Sequence, residues 1–165
     1  MLHYSSVNSP YRSSQNLRIA SYLHRLGSML ERGADHLLQK EMRMSFMQVM
    51  ILLSVQRCAA TQQQEIVRIL GLTPGAVSRH LDVLVSEGSA TRVINPKNRR
   101  QHLISVTAKG AEKIENAFVI LERSLSTILG VLSRAEKKAL EDSLLKIVRI
   151  MEQKENGCTS QADTD

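Results

Sequence analysis

Three cations stand close together in one short stretch of the chain. Residues 96–100 read Pro-Lys-Asn-Arg-Arg, between two runs, Ala90–Asn95 and Gln101–Val106, whose composition predicts short strands. Pro96 has no backbone N–H to donate to a strand partner, so we expect the ladder to stop there and a loop to follow. Cations at a hairpin tip can contact a phosphate backbone or insert an arginine into a minor groove. A merely soluble turn is the alternative.

A second group of polar residues precedes this loop, at the start of a predicted helix. Thr73 suits the N-cap, and Pro74 suits the first helical position, where no N–H is needed. The apolar positions that would face inward are Val77, Leu81, Leu84 and Val85. The positions left outward are Gly75, Ser78, Arg79 and Asp82. Small residues and an arginine on an exposed first turn can approach base edges, and the free N–H groups attract phosphate.

The elements that must position these residues follow in a recognisable order. Thr61 and Gln64 fit a capping box that would begin a helix, and Gly71 suits its left-handed end. The order helix, turn, helix, strand, basic loop, strand is that of a winged helix-turn-helix DNA reader. The fold class that we predict is mainly α with a small antiparallel β wing.

The flanking segments predict helices that associate with other helices. Ser45 with Gln48, and Ser133 with Glu136, fit two further capping boxes. Apolar residues recur at steps of four and three, a heptad seam, in a helix that begins after Thr107. We therefore predict a flexible arm at 1–13, a dimerisation helix at 14–44, the DNA-binding domain at 45–110, dimerisation helices at 111–154 and a disordered tail at 155–165.

The positive charge concentrates where the motif lies. The whole chain carries +6 with a pI of about 9.6, whereas residues 61–110 alone hold seven Lys or Arg against three acidic residues. This excess indicates a polyanionic partner. Aromatic residues make up only 3% of the chain, which favours packed helices over a β-sandwich.

Other classes of function find little support in the sequence. Cys58 and Cys158 match no metal or redox spacing, and the five histidines show no ligand spacing, so we expect no metal and no cofactor. No signal peptide and no membrane-spanning apolar run is visible, which predicts a cytoplasmic protein without a membrane partner. No nucleophile elbow, phosphate-binding glycine loop or paired-carboxylate motif predicts an enzyme.

Taken in order, these residues resemble the MarR family of dimeric winged-helix regulators. The likeness covers about residues 14–152 and is strongest at Pro96–Arg100 followed by Val106–Gly110. It implies a homodimeric bacterial transcription regulator, usually a repressor, that binds an inverted-repeat operator in double-stranded DNA. Such proteins often release DNA on meeting a small aromatic acid, a drug or an oxidant, with a pocket in the region of residues 14–55 and 107–125 here.

The resemblance also implies which residues meet DNA. The recognition helix would run from Thr73 to Glu87, and Arg100 matches the arginine of the wing tip. Asn98 stands where the family usually has an aspartate that orients the wing arginines, and an amide holds a guanidinium less firmly. The residues that we expect at the DNA are Gln62, Gln63, Thr73, Pro74, Gly75, Ser78, Arg79, Asp82, Lys97, Asn98, Arg99 and Arg100.

Three alternatives stay open at this stage. Residues 78–81 also resemble the ArsR family of metal sensors, but the metal-binding cysteines of its preceding helix are absent. A winged-helix module that binds protein or RNA, without reading DNA sequence, is compatible with Asn98 and Asp82. Oxidation of Cys58 or Cys158 is a minority hypothesis, in which peroxide weakens operator binding and Cys58→Ser abolishes that response.

Overall fold

A computed structural model describes residues 14–57, 61–96 and 98–159. Its chain forms two units, one reaching Leu121 and the other beginning at Glu122. The predicted arm at 1–13, Lys97, Cys58 and residues 160–165 of the predicted tail lie outside the described residues.

The described elements confirm a mainly helical fold with one small antiparallel sheet. In chain order they are α1 Gln15–Met42, α2 Phe46–Gln56, β1 Thr61–Gln62, α3 Gln63–Leu70, α4 Pro74–Ser86, β2 Ala90–Asn95, β3 Asn98–Val106, α5 Ala108–Ile128, a 3₁₀ turn Leu129–Val131 and α6 Arg134–Thr159. Helix α5 begins in the first unit and ends in the second without a break.

The sheet contains a short strand that sequence reasoning did not predict. The strand order is β1-β3-β2, and Thr61 of β1 pairs with Ile104 of β3. The capping box predicted at Thr61 is therefore wrong: α3 begins at Gln63, its N-cap Gln62 forms no side-chain cap, and the Thr61 hydroxyl is buried without a hydrogen-bond partner in the described chain. Because the Thr61 backbone pairs with Ile104 of β3, Thr61 belongs to a strand, and the helix starts after it, at Gln63.

The core of the first unit forms around α2, which is apolar on nearly every side. Its residues Val49, Ile51, Leu52 and Val55 are fully or almost fully buried. The residues that close over α2 come from every other element of the unit except β1: Leu38, Met44, Ile66, Val77, Leu81, Leu84, Ala90, Ile104, Ile114 and Ala117. Burying aliphatic side chains from both the reader helices and the sheet fixes these elements to one another.

The junction between α1 and α2 is closed by short-range hydrogen bonds. Helix α1 runs through Gly27 and Gly33 to Met42, and Arg43 caps it in a left-handed conformation with a φ of 54°. The predicted capping box is present, since the Ser45 hydroxyl accepts from the Gln48 N–H at 3.1 Å and the Gln48 side chain accepts from the Ser45 N–H at 2.7 Å. The start of α2 is thereby satisfied from both directions.

The second unit consists of the end of α5, the 3₁₀ turn and α6. The Ser133 N–H donates to Glu136 Oε2 at 2.8 Å and the Glu136 N–H to Ser133 Oγ at 3.3 Å, which confirms the third predicted capping box. The hydrogen bond from the Ser133 hydroxyl lowers the pKa of the Glu136 carboxyl. Helix α6 continues to Thr159, so residues 155–159 are helical and the predicted disorder there is wrong.

No single helix among residues 14–57, 61–96 and 98–159 is long and apolar enough to cross a membrane. One pair, Ala108–Val131 with Arg134–Gln153, passes a test of length and composition only when both helices are counted together.

Candidate nucleic-acid interface

Helices α3 and α4 form the predicted helix-turn-helix. Gly71 ends α3 with a φ of 62°, a left-handed conformation that glycine adopts without steric cost. Thr73 then caps α4, because its hydroxyl accepts from the Ala76 N–H at 3.2 Å, and Pro74 occupies the first turn. The Gln63 side chain reaches the Pro74 carbonyl at 3.5 Å, the outer limit of a hydrogen bond, across the turn between the two helices.

Helix α4 has one buried side and one exposed side. Val77, Leu81 and Leu84 are completely buried. The predicted reading residues lie elsewhere on the helix: Thr73, Pro74, Gly75, Arg79 and Asp82 are exposed and Ser78 is half-buried. The structure thus brings these residues together on one end and one face of α4, with Arg79 in solvent.

Asp82 is held by an arginine of the sheet. Its Oδ1 accepts from Arg92 Nη1 at 2.8 Å, with 60% of the Asp82 side chain and 23% of the Arg92 side chain exposed. Within the described chain, Arg92 Nε and Nη2 are buried without a hydrogen-bond partner. Asp82 therefore ties the recognition helix to β2, a role that its position on an outward helical face did not reveal.

The wing is a tighter hairpin than the sequence suggested. Asn95 pairs with Asn98, so β2 and β3 stay paired to the end of β2, and Pro96 follows directly in a turn. The predicted loop 96–100 is wrong in its second half, because Asn98, Arg99 and Arg100 belong to β3. Pro96 lies in the turn itself, and its missing N–H therefore costs no ladder hydrogen bond.

A break in strand register lies next to the tip of this hairpin. Ile94 pairs with His102, whereas the next residue, Asn95, pairs with Asn98, so residues 99–101 bulge out of the ladder. The side-chain amide of Asn95 donates to Gln101 Oε1 at 3.3 Å and braces the bulge. Asn98 and Arg99 are exposed. Bulges commonly redirect side chains, and this one lies at the cationic end of the wing.

A polar groove separates the wing from the helix-turn-helix. It has a volume of about 300 Å³ and is lined by Gln62, Gln63, Gln64, Val67, Pro74, Gln101 and His102. Gln62 and Gln63 were predicted at the DNA, whereas Gln64, Gln101 and His102 were not. The sequence placed His102 in a predicted strand and gave it no further role, since its neighbours in the groove other than Gln101 come from elements far away along the chain.

The end of α4 is fastened to the start of α5. The Thr107 hydroxyl donates to the Gly88 carbonyl at 2.7 Å, Lys109 Nζ donates to the Glu87 carbonyl at 2.7 Å, and Lys113 Nζ pairs with the Glu87 carboxylate at 2.6 Å. A Cβ added to Gly110 would overlap the Ser89 carbonyl oxygen. Only glycine permits this approach, which explains the glycine at position 110 in physical terms.

A second groove lies between α1 and α2. It has a volume of about 420 Å³, and Asp35 on its wall accepts a hydrogen bond from the Phe46 N–H at 2.9 Å. Its lining residues are Glu31, Arg32, Asp35, His36, Gln39, Phe46 and Met47. Among the described residues, no group of three or more His, Cys, Asp or Glu side chains could hold a metal ion.

Comparisons with known proteins agree with this architecture. The MarR family profile matches residues 44–101. The Bacillus subtilis (strain 168) protein named uncharacterized HTH-type transcriptional regulator YdgJ is 31% identical over 85 residues, a match that spans 52% of this chain and about half of that protein, 52%. The multiple antibiotic resistance protein MarR of Escherichia coli (strain K12) is 30% identical over 129 residues, covering 76% of this chain and 90% of that protein.

A solved structure agrees at the level of the fold. The crystal structure of a MarR mutant from E. coli complexed with operator DNA matches with a TM-score of 0.68 and 24% identity, over 84% of this chain and 98% of that one. With the winged helix-turn-helix in place and a relative of 30% identity aligned along nearly its whole length, the chain belongs to the MarR family.

Proposed function

We propose that this MarR-family protein is a bacterial transcriptional regulator that binds double-stranded DNA, as a homodimer, at an inverted-repeat operator. The observation that carries the proposal is the juxtaposition of Pro74, in the exposed first turn of α4, with Gln101 and His102 of the wing across one polar groove. The exposed cation Arg99 precedes Gln101 by two residues. A MarR mutant of similar fold has been crystallised with operator DNA.

Helix α4 is the element that reads sequence. Gly75 leaves its first turn without bulk, and Arg79 stands exposed on the adjoining turn. An arginine can donate two hydrogen bonds to a guanine edge in the major groove, and the N–H groups of the first helical turn favour a nearby phosphate. Thr73 and Pro74 border the same turn.

The wing supplies the second contact. Arg99 is exposed on the bulge, and Asn98 begins β3 beside it. Cations at this end of the hairpin contact the backbone or the minor groove. We also propose Lys97 and the side chain of Arg100 as DNA contacts, on the basis of the sequence.

Dimerisation is supported by apolar side chains that a single chain leaves in solvent. On α6, Leu144, Leu145 and Val148 are 37 to 48% exposed and line a groove of about 890 Å³ within the second unit. On α1, Leu17, Ile19, Tyr22, Leu23, Leu26 and Met29 are likewise exposed. We propose that a second copy of the chain covers these apolar side chains. A dimer places two recognition helices one DNA turn apart, which a two-fold symmetric operator requires.

Release of DNA by a small aromatic acid is part of the proposal. The groove between α1 and α2 offers Arg32 and His36 to a carboxylate and Phe46 to a ring. A screen of such acids by thermal unfolding would identify ligands that raise the midpoint, and the same compounds should lower the affinity for DNA. We propose that the protein acts in the cytoplasm, where a bacterial chromosome is accessible.

The decisive experiment measures binding of the full chain to the DNA upstream of its own coding region, in competition with unrelated duplex. Arg79→Ala should weaken binding to that fragment by about 1 to 3 kcal/mol, roughly fivefold to 150-fold, and relax discrimination. Arg149→Ala removes another exposed arginine, on α6, and serves as the matched control.

Two results would reject the proposal. The first is equal affinity for the upstream fragment and the unrelated duplex. The second is preferential binding of single-stranded RNA, which would favour the interaction-module alternative. An affinity that falls steeply as salt rises would support contact with the phosphate backbone.

A further inference from the structure

We infer that His102 binds the phosphate backbone of DNA in the groove between the wing and the helix-turn-helix, and that its protonation tightens binding. The inference rests on the proposed DNA-binding function and adds one contact residue and one dependence on pH. His102 belongs to none of the motifs that identify the fold.

The groove lies where a DNA strand has to pass. A recognition helix occupies the major groove and a wing reaches the adjacent minor groove, so the phosphodiester strand that separates the two grooves crosses between these elements. In this protein, the space between them is lined by Pro74 at the start of α4, by the three residues Gln62–Gln64, and by Gln101 and His102 of the wing.

The chemistry of the lining suits a phosphate. Three consecutive glutamines and Gln101 provide carboxamide N–H groups, which donate to phosphate oxygens without reading a base. His102 is exposed on β3, opposite Ile94 in the sheet. It is the one titratable residue among the seven that line the groove.

Charged groups on the neighbouring elements are engaged elsewhere or lie outside the lining. Glu65 of α3 accepts two hydrogen bonds from Arg68, the shorter at 2.6 Å, and these lower the pKa of its carboxyl. Asp82 of α4 pairs with Arg92 of β2. Arg79 of α4 and Arg99 of β3 are cations and would add to the attraction. A proton on His102 therefore places a charge in a groove whose lining contains no carboxylate to cancel it.

Histidine is the residue type whose side chain in general changes charge between about pH 5 and pH 8. Phosphodiesters stay ionised across the whole range, so acidification should add one ionic contact per protomer. The sign follows directly: operator affinity rises as the pH falls, and the dependence of affinity on salt becomes steeper by about one counterion per contact.

The test compares binding of the full chain to its upstream DNA fragment at about pH 5.8 and about pH 8.0, two values near the ends of the range in which histidine side chains in general change charge. Wild type should gain up to about fivefold more affinity per protomer on acidification than His102→Gln, the upper end for an exposed ion pair, and so up to about 25-fold for a dimer that makes two such contacts. His102→Arg should bind tightly at both values, because its charge does not titrate. His24→Gln, which removes an exposed imidazole from α1, should keep the wild-type pH dependence.

The inference is wrong if His102→Gln keeps the full pH dependence, or if His102→Arg gains nothing at the higher pH. The proposed function is tested separately, by specific binding of wild type at the higher pH. If that binding is absent, DNA reading itself fails; if it is present and independent of residue 102, only the role of His102 fails.

Discussion

At the residue scale, the negative charge of Asp82 has the same sign as the DNA phosphates. A carboxylate on a helix that approaches DNA repels phosphates, yet this one is bonded to Arg92 of β2 at 2.8 Å. The pair links the recognition helix to the wing, and Arg92 has no other side-chain hydrogen bond among the described residues. We propose that Asp82 acts as a positioning residue, because its bond to Arg92 fixes α4 against β2 and offsets the repulsion between its carboxylate and DNA phosphates.

We predict that Asp82→Asn lowers the ratio of operator binding to non-specific binding by about threefold to fivefold, corresponding to at most about 1 kcal/mol for an exposed pair. Removing a negative charge raises attraction to any DNA, whereas loosening Arg92 affects only the correctly seated complex. Titrations of both DNAs with Asp82→Asn, Arg92→Met and the double variant measure the coupling. Equal tightening on both DNAs by Asp82→Asn would show that the carboxylate only repels.

At the scale of elements, the contact between the end of α4 and the start of α5 depends on one glycine. Gly110 lies against the Ser89 carbonyl, while Thr107 and Lys109 bond the two carbonyls just before it. The recognition helix thus ends on the first turn of α5. This contact is made by backbone atoms, so no side chain can move aside. A shift of the end of α4 must therefore be accompanied by a shift of the start of α5.

Gly110→Ala should destabilise the fold by about 1 to 3 kcal/mol, since the added methyl group meets backbone. Gly33→Ala provides the matched control: nothing lies within 4 Å of the new Cβ, and it sits inside α1. That control should leave stability unchanged or raise it by up to about 1 kcal/mol. Chemical denaturation of both variants gives the comparison, and equal effects would contradict the close approach.

Elements whose determinants are local could be predicted from the sequence. The capping boxes at Ser45 and Ser133 involve residues three apart, and both are present. Thr61 offered the same local pattern but pairs with Ile104 of β3, a partner that no neighbouring residue announces. At Thr61, pairing with a distant strand overrides the local preference for a helix cap.

The candidate site divides in the same way. The exposure of Arg79 and Gly75 follows from helical periodicity, so the sequence predicts it. The partner of Asp82, the bulge at 99–101 and the groove around His102 arise from contacts between elements far apart in sequence. None of these three features produces a periodic pattern in the sequence. The family and the fold class predicted from the order of motifs are confirmed.

At the scale of the whole molecule, two units each expose apolar side chains, and the proposed function requires two copies. Leu144→Asp would place a carboxylate on the apolar face of α6 and should convert a dimer to monomer. Ala139→Asp introduces the same group on another side of α6, exposed in the single chain, and should leave the dimer intact.

Sedimentation equilibrium measures the change in mass, and operator titration measures its effect on DNA. Loss of the dimer should weaken operator binding by about a hundredfold, the low end of what linking two binding sites provides. If Leu144→Asp stays dimeric, or if Ala139→Asp dissociates equally, α6 does not supply the interface through this face.

Helix α5 has a consequence for how this protein can be taken apart. Its residues Ala108–Ile128 continue without a break past Leu121, where one unit gives way to the next. A cut at that boundary would fall in mid-helix and leave four carbonyls on one side and four N–H groups on the other without partners. The protein is therefore not a pair of modules joined by a linker. Fragments and domain-swapped chimaeras need their junctions outside α5, and a regulator with a new DNA specificity is better built by grafting the surface of α4 and the wing.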